Sequence, residues 1–252
     1  MKNVLITGIS GYIGSKVFKA LESVSDVEKI VGVDINPPAL SSEKLQFFNR
    51  DVRRPIVDLL EKYAVDTVVH AAYILPPIHD TALMEDININ GTKAVLDGCA
   101  KTNVQHLLYT SSATAYGFHA DNPIPMSEDQ ELRGNDNFTY SKNKKEIEAL
   151  FDRFMSTKHG LKITIFRPCL VIGPGINNPV SSYLLKPVAM LPFPNSQVQF
   201  VHEEDLCRAI LLSDYLKFAA NFRSLPGKGG VSTDALISRG INALRLNLRL
   251  KR

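Results

Sequence analysis

The chain has 252 residues, 44% of them hydrophobic and 22% charged, with a formal net charge of +3. It is long enough for one α/β domain with a sizeable core and a small appendage, and its weak, scattered basicity excludes a dedicated nucleic-acid binder. Three cysteines, Cys99, Cys169 and Cys207, are odd in number and widely spaced, which argues against a disulfide framework or a metal site and for buried small side chains in a reducing compartment.

The first ten residues carry one lysine and a short apolar run. The run reads as the opening strand, over 2–7, rather than as a signal peptide. No apolar stretch approaches the roughly 20 residues that span a bilayer. The expectation is a cytoplasmic protein with no membrane or nucleic-acid partner.

The opening strand meets Gly8, Gly11 and Gly14, and a helix follows over 12–22. A strand, three glycines at this spacing and a helix start form a cradle for a dinucleotide pyrophosphate. Gly8 permits the tight turn, Gly11 lets the backbone approach the phosphates, and Gly14 lets the helix lie close on the sheet. Ser10, Tyr12 and Ile13 complete the cofactor loop. The next strand, 29–34, ends in Asp34, 20 residues past Gly14. A carboxylate there accepts from both adenosine ribose hydroxyls and repels a 2′-phosphate, which selects NAD over NADP.

Further strands are predicted over 45–49, 66–70, 104–110 and 161–167, and helices over 54–63, 80–102 and 138–159. Strand–helix alternation implies a parallel sheet with helices on both faces and ligands at the carboxyl ends of its strands. The strand over 104–110 runs into Ser111 and Ser112, hydroxyls suited to holding a reacting oxygen. The helix over 138–159 opens with Tyr140 and Lys144, four apart and therefore on one face. An ammonium beside a phenol lowers its pKa from near 10 and equips it to exchange a proton with a substrate hydroxyl.

Past Pro168 the pattern breaks. Prolines at 174, 179, 187, 192 and 194 and glycines over 227–230 give short elements, the composition of a substrate-binding region. The division expected is a cofactor domain over 1–170 and a reduced substrate region over 171–252, with 200–216 packing back on the first.

Together these motifs resemble the extended short-chain dehydrogenase/reductase family, which includes NAD-dependent sugar-nucleotide epimerases and dehydratases. The likeness runs from about residue 1 to about 212. It rests on the Thr7–Gly14 loop, Asp34, Asp51-Val52, Val69-His70-Ala71-Ala72, Asn88-Ile89-Asn90-Gly91-Thr92 and Ser111 through Gly117. It continues through Tyr140 to Lys144, Arg167-Pro168 to Gly173-Pro174-Gly175, and Phe200-Val201-His202 to Asp205. The resemblance implies a Rossmann-type doubly wound sheet, NAD as cofactor and a catalytic triad of Ser112, Tyr140 and Lys144. Tyr140 would be the acid/base, Lys144 would bind the nicotinamide ribose, and Ser112 would orient the substrate oxygen. Asp51 and Val52 would flank the adenine, Ala71 and Ala72 the pyrophosphate or ribose, Asn88 the cofactor crevice and Pro168 the nicotinamide. His70, His202 and Asp205 read as structural, and Arg167 as a partner for either a phosphate or a carboxylate.

Dehydratase members resemble Thr-Asp-Glu where this chain has Ser112-Ala113-Thr114, so water elimination is not expected. The family usually exceeds 300 residues, and a smaller substrate lobe over the glycine-rich 222–231, the helix cap Ser232–Ala235 and the basic 242–252 favours a compact substrate such as a sugar derivative or another secondary alcohol. Pairing through the helices over 80–102 and 138–159 would give a homodimer. The activity expected is a net dehydrogenase/reductase or a redox-neutral epimerase. A dinucleotide-sensing regulator is the competing reading, and intact Ser112, Tyr140 and Lys144 speak against it.

Overall fold

The computed structural model describes residues 1–75, 80–124, 126–157, 160–176 and 199–215. The expectations for prolines 179–194, for 222–235 and for the basic 242–252 lie outside these.

The chain alternates β1 (Asn3–Thr7), α1 (Tyr12–Glu22), β2 (Lys29–Asp34), β3 (Leu45–Asn49), α2 (Val57–Lys62), β4 (Thr67–His70), α3 (Thr81–Ala100), β5 (His106–Thr110), α4 (Thr139–Met155) and β6 (Lys162–Phe166). Two short strands, β7 (Leu170–Ile172) and β8 (Phe200–His202), and α5 (Glu203–Tyr215) follow. The predicted strands are recovered to within two residues at each end. The helix expected from residue 54 begins at Val57, because Pro55 lacks the N–H and the freedom in φ to sit inside it.

All six main strands are parallel, in the order β3-β2-β1-β4-β5-β6, and β7 pairs parallel with β8 in a separate two-stranded sheet. This is the doubly wound Rossmann order, and its strand order reverses between β1 and β4, where Thr7 pairs with His70. Alternation along β1 builds a core on each face. Leu5 joins the cluster under α2, α3 and α4, with Val31, Val68, Leu107 and Phe151. Val4 and Ile6 join the other, with Val17, Phe18 and Leu21 of α1 and Leu206, Cys207 and Ile210 of α5. Each fully buried side chain of this size contributes about 1.5–3 kcal/mol, so the two cores hold both helix layers on the sheet. Cys99 and Cys207 are buried among these apolar side chains, and all three cysteines are unbridged. No helix among the described residues is long and apolar enough to cross a membrane.

Candidate active site

The crevice at the strand reversal is floored by the glycine loop. Gly8 has φ of +71°, and a Cβ there would lie 2.6 Å from the Cα and N of Ala72 at the end of β4. A Cβ on Gly14 would overlap the Gly8 carbonyl oxygen. Glycine at 8 thus serves both a left-handed turn and a close approach, and glycine at 14 seats the helix. No side chain caps the start of α1, so the N–H groups of Tyr12, Ile13 and Gly14 have no intrahelical acceptor and their dipoles favour an anion. A cradle this narrow, opening on uncapped donors, fits a dinucleotide diphosphate.

Asp34 stands at the tip of β2. Its Oδ2 accepts from the Ser10 N–H at 3.0 Å and its Oδ1 from the Asn36 N–H at 3.1 Å. Ser10 Oγ donates to the Asn36 carbonyl at 2.6 Å. These bonds hold the carboxylate against the glycine loop and leave it lone pairs for ribose hydroxyls.

The remaining residues expected to line the cofactor are divided. Ala71 donates its N–H to the Thr7 carbonyl at 3.1 Å, and Ala72 closes over Gly8. Asp51 is gripped by Arg53, whose guanidinium and backbone N–H hold its carboxyl below the usual range. Val52 is buried, with its side chain where a Cβ on Gly91 of α3 would be. Asn88 is also buried and clasps the loop after β4, accepting from the Ile74 N–H at 2.9 Å and donating to the Ile74 carbonyl at 3.3 Å. The Pro168 carbonyl accepts from the Ala113 N–H at 2.9 Å. Asn88 is thus bonded to the loop after β4, and the Val52 side chain lies against α3 at Gly91.

His70 ties this floor together. Thr92 Oγ1 donates to the Asn88 carbonyl, so it accepts from Nε2 of His70 at 3.0 Å. Nδ1 then accepts from Thr7 Oγ1 at 2.7 Å. Burial, and secondarily the Lys144 charge, push the His70 pKa down to about 3, and the ring stays neutral.

Tyr140 and Lys144 open α4 beside the end of β5, where Tyr140 meets Ser112 and Lys144 reaches Tyr109 and Thr110. Ser112 is buried, and its Oγ accepts from the Thr114 N–H at 3.2 Å to start the short 3₁₀ turn Ala113–Tyr116. The hydroxyls of Ser112 and Thr114 flank the Tyr140 phenol and lower its pKa, but burial outweighs them and the net shift is upward. The sequence led us to expect a downward shift driven by Lys144. The structure shows otherwise because Lys144 Nζ lies 5.8 Å from the Tyr140 ring centroid and is itself 2% exposed, so desolvation lowers its pKa to about 7. The Lys144 ammonium donates to the Tyr109 hydroxyl at 3.1 Å and the Thr110 carbonyl at 2.9 Å, and sits 3.8 Å above the Tyr73 ring centroid. Tyr73 in turn meets Tyr140 edge to face at 5.4 Å.

Three partnerships were not legible in the sequence. Tyr73 and Tyr109 cage Lys144. Glu148, one turn further along α4, takes Arg167 in a buried fork and accepts from Ser111 Oγ at 2.6 Å, which answers the Arg167 question in favour of a carboxylate. Glu203 of α5 accepts from the Tyr12 phenol and Lys16 ammonium of α1, both at 2.5 Å. The described side-chain hydrogen bonds of His202 and Asp205 are local, to the Glu204 N–H and to Arg208, and it is Glu203 that bonds to the cofactor helix. Its only sequence signal was a carboxylate beside an expected junction.

Fold and site together define a dinucleotide-binding α/β protein carrying a serine, a tyrosine and a lysine at the carboxyl edge of its sheet. The chain belongs to the NAD dependent epimerase/dehydratase family, whose model matches residues 4–213. It is 28% identical over 229 residues to an uncharacterized protein of Sinorhizobium fredii, covering 88% of this chain and 56% of that one. It is 27% identical over 181 residues to the Escherichia coli O157:H7 N-acetyl-alpha-D-glucosaminyl-diphospho-ditrans,octacis-undecaprenol 4-epimerase, covering 68% and 49%. Among solved structures, MoeE5 in complex with UDP-glucose and NAD superposes with a TM-score of 0.70 at 26% identity, covering 94% of this chain and 80% of that chain. The chain spans little more than half the length of the first curated relatives it matches.

Proposed function

We propose that this protein is an NAD-dependent enzyme acting on a secondary hydroxyl or its ketone, as a net dehydrogenase/reductase or a redox-neutral epimerase. The observation that carries this reading is the meeting of Ser112 and Tyr140, with Lys144 one turn behind, in a fold whose glycine loop lies at the same carboxyl edge of the sheet. NAD, when bound, supplies the acceptor and donor for the carbon-bound hydride. Gly8, Gly11 and the N–H groups of Tyr12, Ile13 and Gly14 would hold its diphosphate, and Asp34, fixed by the Ser10 N–H, its ribose. Ser112 Oγ orients the substrate oxygen. During reduction Tyr140 gives its phenol proton to the carbonyl oxygen and is left as the phenolate, and during oxidation that phenolate takes the substrate O–H proton and the neutral phenol is restored. Burial keeps Tyr140 protonated at rest, which makes it a ready acid for the reductive direction.

Ala113 and Thr114 carry no carboxyl groups to serve as acid and base for water elimination, which favours hydride exchange over dehydration. The MoeE5 complex with UDP-glucose makes a sugar hydroxyl one candidate for the reacting group. Against a dinucleotide sensor, Tyr140→Phe is decisive. The expected result is unchanged NAD affinity with turnover down at least a hundredfold, and an unaffected activity or response would overturn the enzymatic reading. Mass spectrometry of small molecules released on denaturation separates the two modes. Retained stoichiometric NAD supports epimerisation, and an empty protein that binds added NAD supports net redox.

A further inference from the structure

An aromatic row leads from solvent to the proposed acid/base. Phe118 is 68% exposed and Phe138 45% exposed, yet their ring centroids stand 6.2 Å apart. Phe138 lies 5.9 Å from Tyr140, and Tyr140 lies 5.4 Å from Tyr73. Isolated exposed aromatics are ordinary on protein surfaces, but here two exposed phenylalanines pair with each other and one of them abuts the buried Tyr140 phenol, so the apolar surface is continuous with the proposed acid/base.

The row is also held in place. Gly117, at φ of +80°, turns the chain so that Phe118 leaves the core, and the Phe118 N–H donates to Asn135 Oδ1 at 2.8 Å. Gly134 donates its N–H to the Ala115 carbonyl at 3.1 Å, and Asn122 Nδ2 donates to the Gly117 carbonyl at 2.7 Å. The Asn135 N–H donates to Ser141 Oγ at 3.1 Å, and Ser141 Oγ donates to the Thr114 carbonyl at 2.6 Å. The two segments that carry the phenylalanines are thereby fastened to each other and to the start of α4. Preorganised apolar surface of this kind loses little entropy when a ligand covers it.

The charges beside the row are already engaged. Arg133 forks onto Asp121 at 2.7 and 2.8 Å, Lys142 reaches Glu85 at 3.4 Å, and Lys145 donates to the Arg133 carbonyl at 3.0 Å. Arg167 is committed to Glu148. Among the described residues flanking the row, Arg133, Lys142 and Arg167 are held by carboxylates and Lys145 is turned to a backbone carbonyl, so a diphosphate would compete with these bonds, whereas an uncharged ring system disturbs none.

We propose that the substrate is a flat, uncharged, predominantly apolar ring alcohol or ketone, stacked along Phe118 and Phe138 with its oxygen at Tyr140. This rests on the reading of Tyr140 as the proton-transfer residue. The probes are α-tetralone and UDP-glucose, offered to the full chain with saturating NADH, with binding followed by ligand-observed NMR and turnover by NADH absorbance. The tetralone should bind saturably. Phe118→Ala and Phe138→Ala should each weaken it about three- to tenfold, the loss of one aromatic contact, with NAD affinity unchanged as the sign of an intact fold. Phe138→Leu guards against a defect at the start of α4 and should weaken binding less than Phe138→Ala. Absence of saturable tetralone binding, or UDP-glucose binding that the phenylalanine changes leave untouched, overturns the proposal. The underlying reading is tested separately by Tyr140→Phe. If tetralone still binds this variant and is reduced at the wild-type rate, the acid/base assignment fails while the platform stands.

Discussion

Replacing Glu148 with glutamine tests the buried framework behind the catalytic edge. The Glu148 side chain is fully buried and its Arg167 partner is 7% exposed. Arg167 Nε donates to both carboxylate oxygens at 3.0 Å and Nη2 donates to Oε2 at 2.7 Å, while Ser111 Oγ donates to Oε1 at 2.6 Å. Glutamine keeps the volume but removes the negative charge, and its NH₂ turns two hydrogens toward a guanidinium that has only donors. Arg167 would keep the Tyr116 hydroxyl at 2.7 Å and the Glu128 carbonyl at 3.0 Å, and neither is anionic as bonded. Breaking a buried pair from one side costs about 3–5 kcal/mol, because the surviving charge is stranded out of water. For a chain of this size that is a fall of about 10 °C in Tm. The assay is urea unfolding, read as a change in midpoint at constant slope. Glu146→Gln is the control on the same helix: its pair with Lys142, at 3.9 Å and with both side chains more than a third exposed, should contribute under about 1 kcal/mol. Glu148→Leu combined with Arg167→Met should recover part of the loss. A Glu148→Gln effect below about 1 kcal/mol would refute the argument that this fork is a desolvated, mutually dependent pair.

Other outcomes follow from the same geometry. Gly14→Ala should abolish measurable NAD binding by calorimetry, since its Cβ overlaps the Gly8 carbonyl; wild-type affinity would show that the loop yields. Asp34→Ala should weaken NAD about tenfold and narrow its margin over NADP, as one charge-assisted bond to a ribose hydroxyl is lost at about 1.5–3 kcal/mol; an unchanged NAD to NADP ratio would remove Asp34 from the ribose site. Lys144 is held at a pKa of about 7 by burial against 10.5 unfolded, so the unfolded chain binds more protons between those values. The stability of the wild type relative to Lys144→Met should therefore rise with pH from about 7 toward 10.5, by at most about 1.4 kcal/mol per unit, and stay flat below 7. A flat difference across that window in urea midpoints would show that Lys144 is solvated.

Short-range spacing was sufficient for much of this protein. Gly8, Gly11 and Gly14 act within one turn, Asp34 ends the next strand, and Tyr140 and Lys144 share a helical face because 3.6 residues make a turn. Such relations are set by backbone geometry and survive being read one segment at a time. Strand and helix alternation likewise implied a parallel doubly wound sheet, since parallel strands need crossovers and the crossovers cover both faces. What the tertiary structure alone decided are the partners that arrive from far along the chain. Glu203 reaches Tyr12 across 191 residues, Glu148 reaches Ser111 across 37, and the Tyr73 ring comes from another loop to lie over Lys144. Those meetings also set the electrostatics. The sequence identified a lysine near a tyrosine and implied a lowered phenol pKa, but the sign depends on how much water each group loses, and only packing determines that. Desolvation reversed the shift at Tyr140 and moved the larger change onto Lys144, whose burial lowers its pKa by more than the Glu148 carboxylate one turn away restores.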